Sequence, residues 1–308
     1  MPIQIAAGRI EPTIQGASSR IEPTVHTARG AGVDDRPIGR ILVDMGKLKP
    51  KDVDRVWAAH REQGIRFGEA ARRLMLVKEE DVQQALSVQF NYPYLRTGQS
   101  VLAPELVAAH APFAPQSETL RDLRTQILLN WATADRKILA VVSPDAGDGR
   151  SYLAANLAVV FAQLGEKTLL IDCDLRRPQQ HRLFGHGTGP GLAQVLSGRS
   201  GIEAAERVSY FDNLWLLTAG AAAPNPMELL SRVTFPALLN EARKQFKIVL
   251  LDTPANARGA DARIAASRAD GVLVVTRQHR TRMTELQRLC RAMRGGGSPV
   301  VGTVLNQI

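Results

Sequence analysis

The sequence predicts a doubly wound α/β domain with a mostly parallel sheet, preceded by a small all-α module and a disordered N-terminal tail. Three observations predict it. Six short, nearly continuous apolar runs alternate with helix-like stretches: Ile138–Val142, Thr168–Asp172, Leu214–Leu217, Ile248–Asp252, 271–276 and 300–305. Such runs read as strands of a parallel sheet covered on both faces. The first is followed by Ser143-Pro-Asp-Ala-Gly-Asp-Gly-Arg-Ser151 and then by the helix-like run 153–161, the layout of a phosphate-binding loop. Two other runs end in acids, at Asp172 with Asp174 and at Asp252.

In chain order, residues 1–35 are rich in Gly, Pro, Thr, Ser and Arg without an apolar period, and are expected to be a disordered tail. Within them Arg9-Ile-Glu-Pro-Thr13 recurs as Arg20-Ile-Glu-Pro-Thr24, a docking motif or a chance duplication. Residues 36–95 carry an internal repeat offset by 29 positions: Ile38-Gly39 with Phe67-Gly68, Leu48 with Val77, Val53 with Val82, Trp57 with Leu86, His60 with Gln89. Each copy reads as a short helix, a turn and a longer helix. Acids stand in the first turn of each longer helix, and Val53, Val56, Trp57 and Val82, Ala85, Leu86 have helical spacing. Residues 96–115 read as a linker around a short helix from Pro104 to His110. The α/β domain spans 116–308.

The length of 308 residues holds one domain of ordinary size plus a small module. A hydrophobic share of 44% excludes a wholly disordered chain. Cys173 and Cys290 lie far apart and follow no metal spacing, which fits a reducing compartment. No apolar run approaches the roughly 18 residues of a membrane span, and there is no signal-like apolar region at the start. The expectation is a cytoplasmic chain that meets the inner membrane through a partner. The net charge of +9 is concentrated late: from Arg258 onward there are nine Arg against Asp261, Asp270 and Glu285. This is expected to be a solvated surface, with no nucleic-acid partner.

The loop carries the first chemistry. Gly147 and Gly149 let successive N–H groups turn toward one anion, and the following helix N-terminus adds a favourable dipole. Arg150 stands where such loops normally have Lys; it keeps the charge but is planar and bulkier. Ser151 offers a hydroxyl to Mg²⁺. Asp172 and Asp174 share a face of their strand, since i and i+2 do so. Any one of the acids reads equally as a helix cap. All three at strand ends beside a Gly loop point to Mg²⁺–phosphate chemistry.

On these residues, 116–308 resembles the cytoplasmic catalytic domain of bacterial tyrosine kinases, of the stand-alone type that controls exopolysaccharide chain length. The loop at 143–151 matches the Walker A, Asp172 and Asp174 the second (A′) motif, and Asp252 the Walker B. Gly191-Leu-Ala-Gln-Val-Leu-Ser-Gly198 and Pro224-Asn-Pro-Met-Glu-Leu-Leu230 agree as landmarks. The resemblance implies ATP and Mg²⁺ as cofactors, with Gly147, Asp148, Gly149, Arg150, Ser151, Tyr152 and Asn306 at the nucleotide. It implies Ser151, Asp172 and Asp252 at the metal, and Asp174 orienting or deprotonating the acceptor hydroxyl, so that Asp172, Asp174, Asp252 and Arg150 are the catalytic set. Asn306 reads alternatively as a turn residue. Glu118, Arg121 and Arg124 match an oligomerisation motif on one helix face, or form a surface ion-pair row. A membrane polysaccharide copolymerase, the chain-length determinant protein, is the implied partner, along with self-association. The family's tyrosine cluster has no counterpart before Ile308. Of Tyr92, Tyr94, Tyr152 and Tyr210, the first two border the linker and are the better acceptor candidates.

Residues 36–95 resemble the N-terminal domain of type II secretion and type IV pilus assembly ATPases, whose tandem motif binds cyclic di-GMP in some members. The first copy keeps Gly39 and Gly46 but has Pro37 and His60; the second has Arg66, Gly68 and Gln89 but Met75 for the second Gly. Cyclic di-GMP binding and protein docking both stand open. Two other functions also stand open: a non-kinase ATPase switch of the partitioning or division-site type, and a cyclic di-GMP-responsive adaptor of polysaccharide export.

Overall fold

In the computed structural model the described residues are 3–4, 36–89, 100–187 and 189–307. They fall into two compact units. Residues 36–89 group with 109–113; residues 101–108 and 114–307 group with 3–4. Of the expected tail only β1 (Ile3–Gln4) is described, as a strand. The Arg-Ile-Glu-Pro-Thr repeats, Tyr92 and Tyr94 lie outside the described residues.

The helical unit has α1 (Ile38–Asp44), α2 (Val53–Gln63), α3 (Phe67–Arg73) and α4 (Glu79–Gln89). Its two copies pack crosswise: α1 lies on α4, and α2 on α3. Ile41, Leu42, Leu48, Val56, Ala70, Ala71, Val77, Val82 and Ala85 form its core. The paired glycines sit where the copies approach. A Cβ on Gly39 would stand 2.8 Å from the Phe67 ring, and one on Gly68 2.7 Å from Val82 Cγ1. His60 Nδ1–H donates to the Ile65 carbonyl, and Gln89 Nε2 donates to the Arg36 carbonyl at 3.1 Å. Both donors and both acceptors are 29 residues apart, so a pseudo-two-fold axis relates the bonds. After each short helix the chain turns through a left-handed residue, Gly46 at φ 68° and Met75 at φ 55°.

The division between the units falls within α5 (Val107–His110); the second unit then runs α6 (Pro115–Asn130), β2 (Ile138–Val142), α7 (Arg150–Gln163), β3 (Thr168–Asp172), α8 (Gln180–Leu183) and α9 (Leu192–Leu196). It continues with β4 (Glu206–Arg207), β5 (Leu214–Leu217), α10 (Pro226–Ser231), α11 (Thr234–Gln245) and β6 (Ile248–Asp252). It closes with α12 (Asp261–Ala266), β7 (Gly271–Arg277), α13 (Met283–Gly295) and β8 (Val300–Asn306). Among the described residues the sheet order is β1-β8-β7-β2-β6-β3-β5-β4. The two outermost strands, β1 and β4, are antiparallel to their neighbours, and the rest of the sheet is parallel.

Strands β2, β3 and β6 are buried along their whole length. Helix α7 is apolar all round, as a helix covered on every side must be; Leu153 through Ala162 are buried. It packs on β2, β3 and β6 and is covered by α6. Residues 101–108, within the stretch read as linker, also close over it. Asn156 on α7 accepts from Ala108 N at 3.0 Å and donates to the Glu105 carbonyl at 3.0 Å. The parallel strands therefore end on one edge, with Val142, Asp172, Asp252, Arg277 and Asn306 as last residues. In open α/β sheets this is the edge where ligands bind.

Candidate active site

The loop after β2 has the predicted form. Gly147 and Gly149 take φ 83° and 96°, left-handed values that a side chain disfavours. α7 starts directly behind them, so its free N–H groups face the loop.

The loop is held from several sides. Asp148 is fully buried; its Oδ2 accepts from Asp145 N at 2.9 Å, and its Oδ1 lies 3.4 Å from Thr281 Oγ1. Two side chains from neighbouring strand ends grip successive loop carbonyls: Arg277 Nη1 donates to Gly147 O at 3.2 Å, and Asn306 Nδ2 to Asp148 O at 3.2 Å. Turning these carbonyls toward the sheet leaves the amides for an anion. Asn306, placed by resemblance at the nucleotide, is 5% exposed here and braces the loop. Asp148 likewise braces the loop from inside.

Arg150 folds back into the protein. Nε donates to the Thr253 carbonyl at 2.8 Å; Nη1 donates to Ser143 Oγ at 2.5 Å and to the Asp145 carbonyl at 2.9 Å. It ties the loop to the residue after β6. Burial pulls the guanidinium's pKa below its ordinary value, while Asp252, Asp174 and Asp148 push the other way. Tyr152, one residue past Ser151, is half-buried, and burial raises its hydroxyl pKa.

Asp172 and Asp252 are register partners on β3 and β6, both with no exposed surface. Burial first, then the neighbouring Asp252 charge, lifts the Asp172 pKa well above the usual carboxylate value. Burial also raises that of Asp252, against the attraction of Arg150. Asp172 is well supplied with donors: Oδ1 accepts from Asp174 N at 3.1 Å, and Oδ2 from Gln179 N and Gln180 N, each at 3.0 Å. Asp252 Oδ2 accepts from Gln180 Nε2 at 2.7 Å, and the Gln180 and Ser151 side chains hold the Asp252 pKa down against burial. Its Oδ1 is buried with no partner. Two adjacent buried carboxylates and an orphaned acid oxygen beside a hydroxyl are a hard-oxygen donor set that fits Mg²⁺.

Asp174 is 5% exposed; its Oδ1 accepts from Arg177 N at 3.0 Å and its Oδ2 lies 3.8 Å from Arg258 Nη1. Beside it Arg176 Nε donates to Asp261 Oδ2 at 2.7 Å. These crossed pairs join the segment after β3 to the segment after β6. On α6, Glu118 and Arg121 form an ion pair at 2.6 Å within the helix, while Arg124 Nη1 turns inward to the Val160 carbonyl at 2.8 Å.

Sequence reasoning missed Arg277, Thr281, Arg258 and Gln180. Arg277 carried a usable signal, a charged residue closing a buried strand at the same edge as Asp252. Gln180 carried none.

Comparison with known proteins identifies the chain's relatives. A family model described as an AAA domain matches residues 136–295. The tyrosine-protein kinase YwqD of Bacillus subtilis is 38% identical over 203 residues, covering 65% of this chain and 85% of that protein. The putative tyrosine-protein kinase CapB of Staphylococcus aureus is 31% identical, covering 68% of this chain and 91% of that one. The putative tyrosine-protein kinase EpsB of Ralstonia solanacearum is 34% identical, and there the match spans only 27% of the relative. Among solved structures, the kinase domain of Escherichia coli tyrosine kinase ETK superposes with a TM-score of 0.64 at 27% identity, covering 70% of this chain and 84% of that one. The BceF tyrosine kinase domain gives 0.60 at 31%, covering 66% and 81%. The loop, the paired acids and these likenesses make the chain a member of the bacterial tyrosine-protein kinase family.

Proposed function

We infer that this chain is an ATP- and Mg²⁺-dependent protein-tyrosine kinase serving exopolysaccharide polymerisation, chain-length control and export. The carrying observation is the orphaned Asp252 oxygen, buried beside Ser151 and Asp172 at the foot of a glycine loop whose carbonyls are pulled away from the anion position. Mg²⁺, when bound, would neutralise charge on the β- and γ-phosphates. Ser151, Asp172 and Asp252 are the residues to hold it. The loop amides and the α7 N-terminus bind and orient the phosphates. Asp174 accepts the proton of the acceptor tyrosine as its oxygen bonds to the γ-phosphorus and the bond to ADP breaks. The test is transfer of labelled phosphate from ATP to tyrosine, on the chain itself or on a membrane copolymerase. No phosphotyrosine on either, with the protein folded and Mg²⁺ present, defeats the kinase reading.

No helix among the described residues is long and apolar enough to cross a membrane. The reading places the chain in the cytoplasm, at the inner membrane through the copolymerase, and self-associating through α6. The helical unit is read as a docking module, because Gly39, Gly68, His60 and Gln89 all serve contact between its two copies. Calorimetric binding of cyclic di-GMP to residues 36–89 within the full chain would replace that reading.

A second reading is a nucleotide switch that changes partners without phosphorylating them. The observation favouring it is that Tyr152 and Tyr210, the tyrosines among the described residues, are both partly buried in the α/β unit. ATP-dependent partner binding with phosphate release and no phosphotyrosine selects it.

A further inference from the structure

Gln180, the first residue of α8, has no exposed surface. It touches all three positions read as the metal site. Its backbone N–H donates to Asp172 Oδ2 at 3.0 Å. Its side-chain Nε2 donates to Asp252 Oδ2 at 2.7 Å and to the Ser151 carbonyl at 3.1 Å. Both of those partners are acceptors, which fixes which end of the amide is nitrogen. The other end, Oε1, is buried with no partner, as is Asp252 Oδ1. Buried acceptors without donors are uncommon and call for an explanation. Two of them here belong to residues bonded to each other.

We propose that Gln180 is a positioning residue for the metal–nucleotide complex. Its amide holds Asp252 by Oδ2, which leaves Oδ1 as the oxygen offered to the cation. The same amide nitrogen ties down the first turn of α7, which carries the Ser151 hydroxyl. Its Oε1 accepts a hydrogen bond from a water on the cation. A neutral amide suits this place: an acid would repel Asp252, and a lysine would cancel the charge that attracts the metal. The role rests on the ATP–Mg²⁺ reading. Partners that orient metal ligands in this way change metal affinity by roughly 10- to 100-fold when removed.

The test uses the full chain, a non-hydrolysable ATP analogue, and calorimetry with and without Mg²⁺, alongside thermal melting. Gln180→Met keeps the side-chain volume and removes the amide; Gln180→Ala removes both. In the wild type Mg²⁺ strengthens nucleotide binding. In both variants that enhancement should shrink by about tenfold or more, a larger loss than any in metal-free binding. Variants that melt lower yet keep the full Mg²⁺ enhancement make Gln180 a structural tie alone and overturn the proposal. A wild type without any Mg²⁺ enhancement defeats the Mg²⁺ reading itself and removes this role with it.

Discussion

Asp172 and Asp252 stand opposite one another, in register on adjacent parallel strands, each wholly buried. Burial disfavours both charges, and at Asp172 the facing carboxylate adds to the effect. A divalent cation offsets both penalties. Mg²⁺ with nucleotide should therefore raise the melting temperature more than nucleotide alone. Asp252→Asn should abolish that difference and cost at least about tenfold in Mg²⁺-assisted affinity, while still melting cooperatively. An unchanged Mg²⁺ response in the variant removes Asp252 from the metal site.

Arg150 braces the loop through the Ser143 hydroxyl and the Asp145 and Thr253 carbonyls. Arg150→Ala should destabilise the nucleotide-free chain by about 2 kcal/mol, since buried acceptors lose a charged donor. Arg150→Lys should recover part of that loss. The wild type should bind ATP without the usual lysine because the loop amides supply much of the anion contact. Undetectable wild-type binding at millimolar ATP counts against this.

Asp270 accepts from Lys137 N and Ile138 N at 2.9 and 2.8 Å, and from both terminal nitrogens of Arg243. Burial alone would raise its pKa; Arg243 and the two amides overcome that and hold it below the ordinary value. A depressed folded pKa gives stability that is present above the unfolded value, about 3.9, and lost as pH falls through the folded one. Asp270→Asn should cost about 2 kcal/mol at neutral pH. Denaturant titrations should show the gap to wild type narrowing only below about pH 5. A gap independent of pH down to strong acid would contradict the charge argument.

Met75 is left-handed and 93% exposed, at the position where the first repeat has Gly46. A side chain there costs about 1 kcal/mol or more. Met75→Gly should slow hydrogen exchange across 36–89 by about threefold, some of the gain being offset by the freer unfolded chain. Gly46→Met should speed it.

Arg124 bonds the Val160 carbonyl on α7, whereas Glu118 and Arg121 pair on the α6 surface. Arg124→Ala should lower the melting temperature of the monomer by a few degrees. Glu118→Ala should leave melting unchanged and lower the mass measured by light scattering. Equal melting losses in both variants would refute this division.

The sheet was legible because its strands are buried on both faces and so read as apolar runs. β2, β3, β5 and β6 coincide with those runs. β7 and β8 each extend one residue past them, to Arg277 and Asn306. Those added residues are the ones that grip the loop: each run stops one residue short of the polar group that reaches the site. β4 (Glu206–Arg207) is two charged residues and leaves no apolar trace. The fold-back of Arg150 was hidden for another reason. Local sequence shows a cation after a glycine; only the packed structure shows which acceptors surround it. Gln180 likewise follows Pro178 and another Gln, and nothing in that context marks the second as buried.

The crossed bonds of the helical unit, His60 to Ile65 and Gln89 to Arg36, have a consequence for how such a module grows. Each copy satisfies a carbonyl at the entrance of the other, and each short helix lies against the other's long one. Among the described residues the two copies occupy each other's entrances, as in a closed handshake. Duplication here yields a finished dimer within one chain, where stacked repeats would yield an extendable rod. A single copy cut out of it would keep its helices' sequence but lose the surface that makes them fold.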